Sequence, residues 1–142
     1  MEIQALYDIA RQQNIEVFDY PMARCGSMSV MTDSGACYIG IDPSIKDGST
    51  RERVHLSHEL GHCVTGSFYN IYAAVDNRRR HENRADKWAI RQLIPVEALD
   101  DAIAGGCTEV WELAEHFGVT EDFIRKAVCC YVHGNLATEL YF

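Results

Sequence analysis

The sequence predicts an α+β fold in which a small antiparallel sheet packs on one central helix and further helices follow. Two strand-like segments joined by a turn signal lie between residues 27 and 41, and helical patterns dominate from residue 51 to residue 132. The chain has 142 residues, of which 47% are hydrophobic and 24% charged, and it shows no linker or repeat. These values are ordinary for a globular chain with one core, so we expect residues 1–142 to form a single domain.

The chain before residue 50 is predicted to form one helix and three strands. Residues 3–13 place apolar side chains on one side of a helix. Residues 15–20 are expected to form a short strand. Residues 27–32 and 36–41 form two more strands, and the Asp-Ser-Gly sequence at 33–35 is a hairpin signal between them.

The central helix is predicted over residues 51–65, and Gly66 is a suitable residue to end it. Three residues before it are suitable N-caps: Asp47, Ser49 and Thr50. Gly61 in its interior costs about 1 kcal/mol of helix propensity relative to alanine. We interpret that cost as a sign that another element approaches the backbone closely there.

Four more helices are predicted after the central one. Residues 82–93 carry apolar side chains at spacings of three and four, so one face of that helix is buried. Residues 96–104 follow Pro95 and end before two glycines. Residues 108–116 and 120–132 form the last pair, which resembles a helix-turn-helix. In this pair, the expected N-caps and the turn residue are Thr108, Thr120 and Gly118.

His58, Glu59 and His62 form a His-Glu-x-x-His motif on the central helix. Residues four apart share a helix face, so the two histidines are able to direct their imidazoles at one ion. Glu59 lies one step round the helix, within reach of a water on that ion. Two nitrogen ligands, an open coordination position and an adjacent base suit a zinc hydrolase. We therefore predict Zn²⁺ as cofactor and Glu59 as catalytic base; the alternative is an accidental histidine pair on a surface helix.

Glu82 is the predicted third metal ligand, because hydrolytic zinc sites usually have three protein ligands and one water. It begins the second helix, twenty residues after His62. Asp86 lies one turn further on the same side, and we expect it to accept a hydrogen bond from the other ring N–H of a ligand histidine. The alternative is that both carboxylates are solvated charges near the arginines at 78–80.

The chain resembles the ImmA/IrrE family of metallopeptidases, which are encoded largely by phages and integrative elements. The resemblance is carried by residues 58–62, 82–89 and 93–95, and it extends to 37–42 and 112–120. It implies a zincin-like catalytic core over residues 1–95, followed by a C-terminal helical part over 96–142.

That resemblance also implies roles for individual residues. His58, His62 and Glu82 would be the metal ligands and Glu59 the general base. Family members relieve gene repression by cleaving, or promoting cleavage of, a helix-turn-helix repressor, so the implied partner is a transcriptional repressor. His55 departs from the family, which more often has a small or hydroxyl residue there. We interpret His55 as an ordinary partly exposed histidine, with an outer contact to the site as the alternative.

Composition and charge narrow the location and the cysteine chemistry. No apolar run is long enough to span a membrane, and the start of the chain lacks a signal-peptide core, so a cytoplasmic protein is expected. The six cysteines include no Cys-x-x-Cys pair, and reduced thiols are predicted. Cys63 is predicted to be a core residue, because it points about 100° away from His62 round the helix.

Two other functions stay open. The fold could bind a repressor without cleaving it and expose it to a host protease, with zinc serving structure. A structural zinc site more often has four protein ligands including cysteine, and no fourth ligand is evident. The last helix pair could bind DNA, but the net charge of −8 and the Glu121-Asp122 start of the last helix disfavour it.

The predicted reaction is metal-assisted peptide hydrolysis, in which Glu59 removes and later returns a proton. A strand beside the zinc helix would pair with an extended substrate backbone. The sequence does not choose the donor that stabilises the oxyanion, for which there are four candidates: Tyr69, Tyr72, His81 and His133.

Overall fold

The computed structural model describes residues 1–46, 48, 50–69 and 72–136. Within these ranges the protein is an α+β structure of six α-helices and a three-stranded sheet. The elements in chain order are α1 (Ile3–Gln12), β1 (Glu16–Asp19), β2 (Ser27–Met31), β3 (Cys37–Ile41), α2 (Thr50–Thr65), α3 (Val75–Leu93), α4 (Val96–Ala104), α5 (Val110–Phe117) and α6 (Glu121–His133). Among the described residues, none of the helices has the length and apolar character that a membrane crossing requires.

The sheet is mixed, with strand order β1-β3-β2. β2 pairs antiparallel with β3, as the hairpin signal predicts, but β1 pairs parallel with β3. The prediction of a wholly antiparallel sheet is therefore wrong. The connection at residues 20–26 carries the chain from one edge of the sheet to the other before β2 begins. The alternation of polar and apolar side chains within a strand does not indicate which other strand it pairs with, or in which direction.

One face of the sheet packs on α2. The register places Ser27 beside Ile41 and Ser29 beside Ile39, so these four side chains share that face. Both isoleucines are fully buried in the core. The two serines lie on the same face at the edge of the sheet, where the site is built. The side chain of Met28, between them, is exposed on the opposite face.

Helix α2 runs from Thr50 to Thr65. Gly66 follows it with a φ of +66°, and the predicted end of the helix at this glycine is confirmed. Asp47 and Ser49, two of the three predicted N-caps, lie outside the described residues. At Gly61 the helix meets α3 so closely that a Cβ atom would lie 2.9 Å from Ala85 Cα. The interpretation of this glycine as a point of close approach is confirmed.

Helix α3 begins at Val75, seven residues before its predicted start at Glu82. Its first two turns, which include Arg78 and Arg79, project into solvent and bury no apolar stripe. Hydrophobic periodicity detects only the packed part of a helix, so this extension left no sign in the pattern. The arginines at 78–80 are thus helical.

The last two helices meet at Gly118, which lies in the turn as predicted and has a left-handed conformation. Thr120 caps α6 by accepting a hydrogen bond from the backbone N–H of Phe123, as predicted. The predicted cap at Thr108 is wrong, because Glu109 occupies that position and makes no side-chain cap. Helix α6 buries Phe123 and Ile124 in the common core.

Cys37 and Cys63 form a disulfide that joins β3 to α2. The prediction of six reduced thiols is therefore wrong for this pair. The rotation that turns Cys63 away from His62 directs it at the start of β3, where its Cα lies 6.0 Å from that of Cys37. That separation is in the range a disulfide bridges. The sequence pattern gave no sign that these two residues meet.

Candidate metal centre

Helix α2 presents His58 and His62 on one face, with their Nε2 atoms 3.2 Å apart. Glu82 on α3 completes the group, because its Oε2 lies 2.8 Å from His58 Nε2 and its Oε1 lies 3.3 Å from His62 Nε2. The close helix crossing at Gly61 and Ala85 brings α3 beside the two histidines. The structure thus brings together all three residues that were predicted to be ligands.

Each histidine is held in one ring orientation through its Nδ1 atom. His58 Nδ1 donates to Asp86 Oδ1 over 2.7 Å. His62 Nδ1 donates to the carbonyl oxygen of Ser67, which the turn after α2 brings back over the ring. Because both Nδ1 atoms donate these bonds, both Nε2 atoms would present lone pairs to the same point once the rings are neutral. Asp86 therefore lies where the predicted partner of a ligand histidine should lie.

The three side chains suit a metal ion on the chemistry of their donor atoms. Donors about 2.0–2.1 Å from a tetrahedral ion lie about 3.3 Å from one another. The three separations of 3.2, 2.8 and 3.3 Å are close to that value. Two nitrogen lone pairs and a carboxylate that converge in this way need a cation between them. Among the residues that the structure describes, His58, His62 and Glu82 form such a group.

In the metal-free site, protons on the histidines supply the positive charge that a metal ion would otherwise supply. Burial alone would lower the pKa of His58, but hydrogen bonds with Asp86 and Glu82 outweigh it and raise the pKa to about 10. Burial also opposes a raised pKa at His62, yet its bonds to Glu82 and Ser67 shift that pKa upward. Hydrogen bonds from His58 and His62 hold the pKa of Glu82 well below its usual range. The site is a negative pocket built to hold positive charge.

Glu59 is buried beside the histidines, and two hydroxyl groups from β2 contact it. Ser27 Oγ donates to Glu59 Oε2 over 2.7 Å, and Ser29 Oγ donates to Glu59 Oε1 over 2.8 Å. His55 Nδ1 lies 2.7 Å from Ser27 Oγ. Of the two interpretations of His55, the outer contact to the site is the one the structure favours. Burial lowers the pKa of this imidazole.

The group opens into a cavity of about 1000 Å³. One wall is β2, from Ser27 to Val30, and the facing wall is the first half of α6. Phe68 and Tyr69, which follow α2, also line the cavity. This volume is at the upper end of the range of about 300–1000 Å³ that is typical of ligand-binding clefts.

The model of the IrrE N-terminal-like domain, peptidase family M78, matches residues 10–128 of the chain. This match covers most of the protein and includes both helices of the site. The chain belongs to the IrrE N-terminal-like family. Membership supports a metallopeptidase and agrees with the metal-binding geometry of the site. No curated protein matches the chain.

Of the four oxyanion candidates, Tyr69 has a hydrogen bond to a residue of the metal-binding group of this IrrE-type domain. Its hydroxyl donates to Glu82 Oε1 over 2.8 Å, and this bond, more than burial, raises the pKa of the phenol. His81 stacks on the Tyr69 ring with 6.1 Å between centroids. Tyr72 is 88% exposed, and His133 is the last residue of α6.

Sequence reasoning missed several residues of this IrrE-type site. Ser27 and Ser29 left a readable sign, since two polar residues alternate on a strand face where apolar residues are expected. Ser67 acts through its backbone, which no side-chain pattern reveals. Lys126 on α6 contacts Asp86 Oδ2 over 3.2 Å, and only the tertiary structure brings that helix to α3.

Proposed function

We propose that this protein is a zinc-dependent endopeptidase that hydrolyses a peptide bond in a transcriptional repressor of the helix-turn-helix type. The observation that carries the catalytic part is the convergence of His58, His62 and Glu82 beside a buried glutamate at the base of an open cavity. Membership of a peptidase family supports the same reaction class.

Zinc is the ion that this donor set suits best. Two imidazoles and one carboxylate are a recurrent ligand set of catalytic zinc, which keeps a fourth position for water. Cys63 is engaged in the disulfide with Cys37, so it is not available as a fourth ligand. When bound, zinc would make a water molecule more acidic and polarise the scissile carbonyl group.

The protein's own residues then carry the proton and hold the substrate. Glu59 removes a proton from the attacking water and delivers it to the leaving amine. Asp86 and the Ser67 carbonyl hold the two imidazoles in place. Tyr69 is the candidate donor to the oxyanion, because its hydroxyl already lies at the ligand carboxylate. A hydroxyl placed there would stabilise the charge that develops on the carbonyl oxygen.

The substrate is proposed to bind as an extended strand along β2. In the described sheet β2 pairs on one side only, with β3, and its residues 27–30 line the cavity. Its other edge therefore offers backbone N–H and C=O groups to a partner strand. A peptide bound there would run beside Glu59.

The repressor substrate follows from the resemblance to family members that relieve repression. A protein substrate rather than DNA for the last helix pair is supported by Phe123 and Lys126 of α6 and by its N-cap Thr120, which all line the cavity. The acidic start of α6 would also repel phosphates.

The test is a comparison of newly formed protein N-termini in cells that express the wild-type protein or Glu59→Gln. We expect a new N-terminus within a helix-turn-helix repressor in the wild-type cells alone. Repression relieved equally by both proteins, without a new N-terminus, would show the non-cleaving adaptor instead. New N-termini that appear equally with Glu59→Gln would contradict Glu59 as the base.

A further inference from the structure

Both carboxylate oxygens of Glu59 are held by serine hydroxyls from one strand. Ser27 donates to Oε2 and Ser29 donates to Oε1, over 2.7 and 2.8 Å. The two serines are residues i and i+2 of β2, so they point to the same face of the sheet. We call Ser27 and Ser29 the clamp, because together they bind both oxygens of the Glu59 carboxylate.

The direction of the hydrogen bonds follows from counting protons. Ser27 Oγ contacts both Glu59 Oε2 and His55 Nδ1, but a serine hydroxyl has one proton. An ionised carboxylate only accepts, so the Ser27 proton points to Glu59. His55 Nδ1–H must then donate to Ser27 Oγ. In the hydrogen-bonded series His55–Ser27–Glu59, each donor therefore points in the same direction, from His55 to Glu59.

Gly26 leaves space for the His55 imidazole in this hydrogen-bonded series. A Cβ atom at this position would lie 2.8 Å from His55 Cε1, and its φ of +81° is a conformation that glycine adopts readily. The imidazole thus packs directly on the backbone that precedes Ser27. His55, Ser27 and Glu59 are fixed together by the fold of β2 against α2.

The serines occupy positions at which the sheet otherwise buries hydrocarbon. Their neighbours in the register are Ile41 and Ile39, which are fully buried. Apolar side chains at 27 and 29 would add to the core, whereas the hydroxyls there both contact Glu59. A carboxylate offers about four acceptor sites, so two stay available for a water molecule.

We propose that Ser27 and Ser29 are positioning residues that fix the Glu59 carboxylate for proton transfer, with His55 holding Ser27. This inference rests on the proposed function. The clamp keeps the carboxylate from turning toward the metal ligands and orients its free lone pairs to the cavity. Because β2 is also the proposed substrate strand, one element positions both the base and the peptide.

The test uses the Co²⁺-substituted full-length protein, whose visible spectrum reports what binds at the metal. Acetohydroxamate ligates the metal and carries a proton that a well-placed Glu59 accepts. Azide ligates the metal but has no proton to donate. The ratio of the two affinities therefore measures the placement of Glu59, which a general loss of stability would not change.

The variants are Ser27→Ala, Ser29→Ala and Ser29→Thr, with Ser57→Ala as matched control. Ser57 is buried on α2, and its hydroxyl bonds the Val54 carbonyl within the helix, away from Glu59. We expect each alanine variant at 27 and 29 to weaken acetohydroxamate binding about tenfold, as the loss of one hydrogen bond would. Azide binding should be unchanged, and Ser29→Thr, which keeps a hydroxyl, should restore the wild-type ratio.

Two results would overturn the inference in distinguishable ways. Wild-type affinity ratios in both Ser27→Ala and Ser29→Ala, in a protein that binds the metal, would remove the clamp and leave the proposed function intact. A wild-type protein that binds neither Co²⁺ nor Zn²⁺ would remove the proposed function, and the clamp with it. Ser29→Ala keeps the test decisive even if Ser27→Ala does not fold, because Ser29 is only half-buried.

Discussion

His58 contacts two carboxylates at once, Asp86 through Nδ1 and Glu82 through Nε2. The first bond orients the ring, and the second marks the point where the ring and Glu82 would share a metal ion. A proton on Nε2 and a metal ion compete for this one position. Zinc binding should therefore depend on pH and on the contacts that hold the His58 ring.

Zinc affinity should rise with pH across the neutral range. Bonds to Asp86 and Glu82 outweigh burial and raise the pKa of His58 to about 10. The metal-free imidazole is therefore protonated at pH 7, and zinc must displace that proton. The protonated ring also stabilises the folded, metal-free protein. This stabilisation is fully present below about pH 6.5, the pKa of histidine in the unfolded chain, and is lost as the pH rises toward the pKa of His58 in the folded protein. Calorimetry at pH 7 in buffers of different ionisation enthalpy should show at least one proton released per zinc. A binding enthalpy independent of the buffer would contradict this.

Asp86→Asn should weaken zinc binding about 10- to 100-fold, the usual effect of losing the carboxylate that orients a metal-bound histidine. The measurement is competition with a chelator of known affinity. Asp122→Asn is the matched control, because Asp122 is 88% exposed and pairs with Arg125. Equal zinc affinities for the two variants would show that the bond to His58 does not contribute.

At the scale of elements, the site depends on the crossing of α2 and α3 at Gly61. The two helices supply all three candidate ligands, and the disulfide ties α2 to β3 on its other side. Helix α6 adds Lys126, which reaches Asp86 from a third direction.

Gly61→Ala should destabilise the protein by about 1–3 kcal/mol, as overpacking usually does, although alanine gains about 1 kcal/mol in helix propensity. The added Cβ would meet the Ala85 backbone and push α3 away, so zinc affinity should fall as well. Urea unfolding and zinc titration measure the two effects. Gly105→Ala is the control, because Gly105 has an ordinary φ of −79° at the end of α4. A more stable Gly61→Ala variant with normal zinc affinity would contradict the role of the crossing.

Because the disulfide joins two of the six cysteines, we expect four thiols to react in the unfolded, unreduced protein and six after reduction. The four cysteines outside the disulfide are Cys25, Cys107, Cys129 and Cys130. With a sequence separation of 26 between the paired residues, the bond should contribute about 3.5 kcal/mol through the unfolded state. A thiol count by a chromogenic reagent, with urea unfolding of Cys37→Ser/Cys63→Ser, measures both. Six thiols before reduction would contradict the bond.

At the scale of the whole molecule, the helices and candidate ligands were predictable because their signals are local. The spacing of His58 and His62 is a property of one helix, and the glycine between them indicated a close crossing. The parallel pairing of β1, the disulfide and the Lys126 contact were not predictable, because each depends on where a distant segment is placed. The serines at 27 and 29 lie between these cases. Their alternation was visible, but their partner on α2 was not.

The zinc content of the purified protein decides whether His58, His62 and Glu82 bind a metal ion. We predict one zinc per chain in the wild type and in His116→Ala, which changes a histidine on α5 away from the site. His58→Ala and Glu82→Ala should lose zinc or bind it far more weakly, whereas Glu59→Gln should retain it and lose cleavage. A folded wild-type protein that binds no zinc, or unchanged zinc in both ligand variants, would contradict the account.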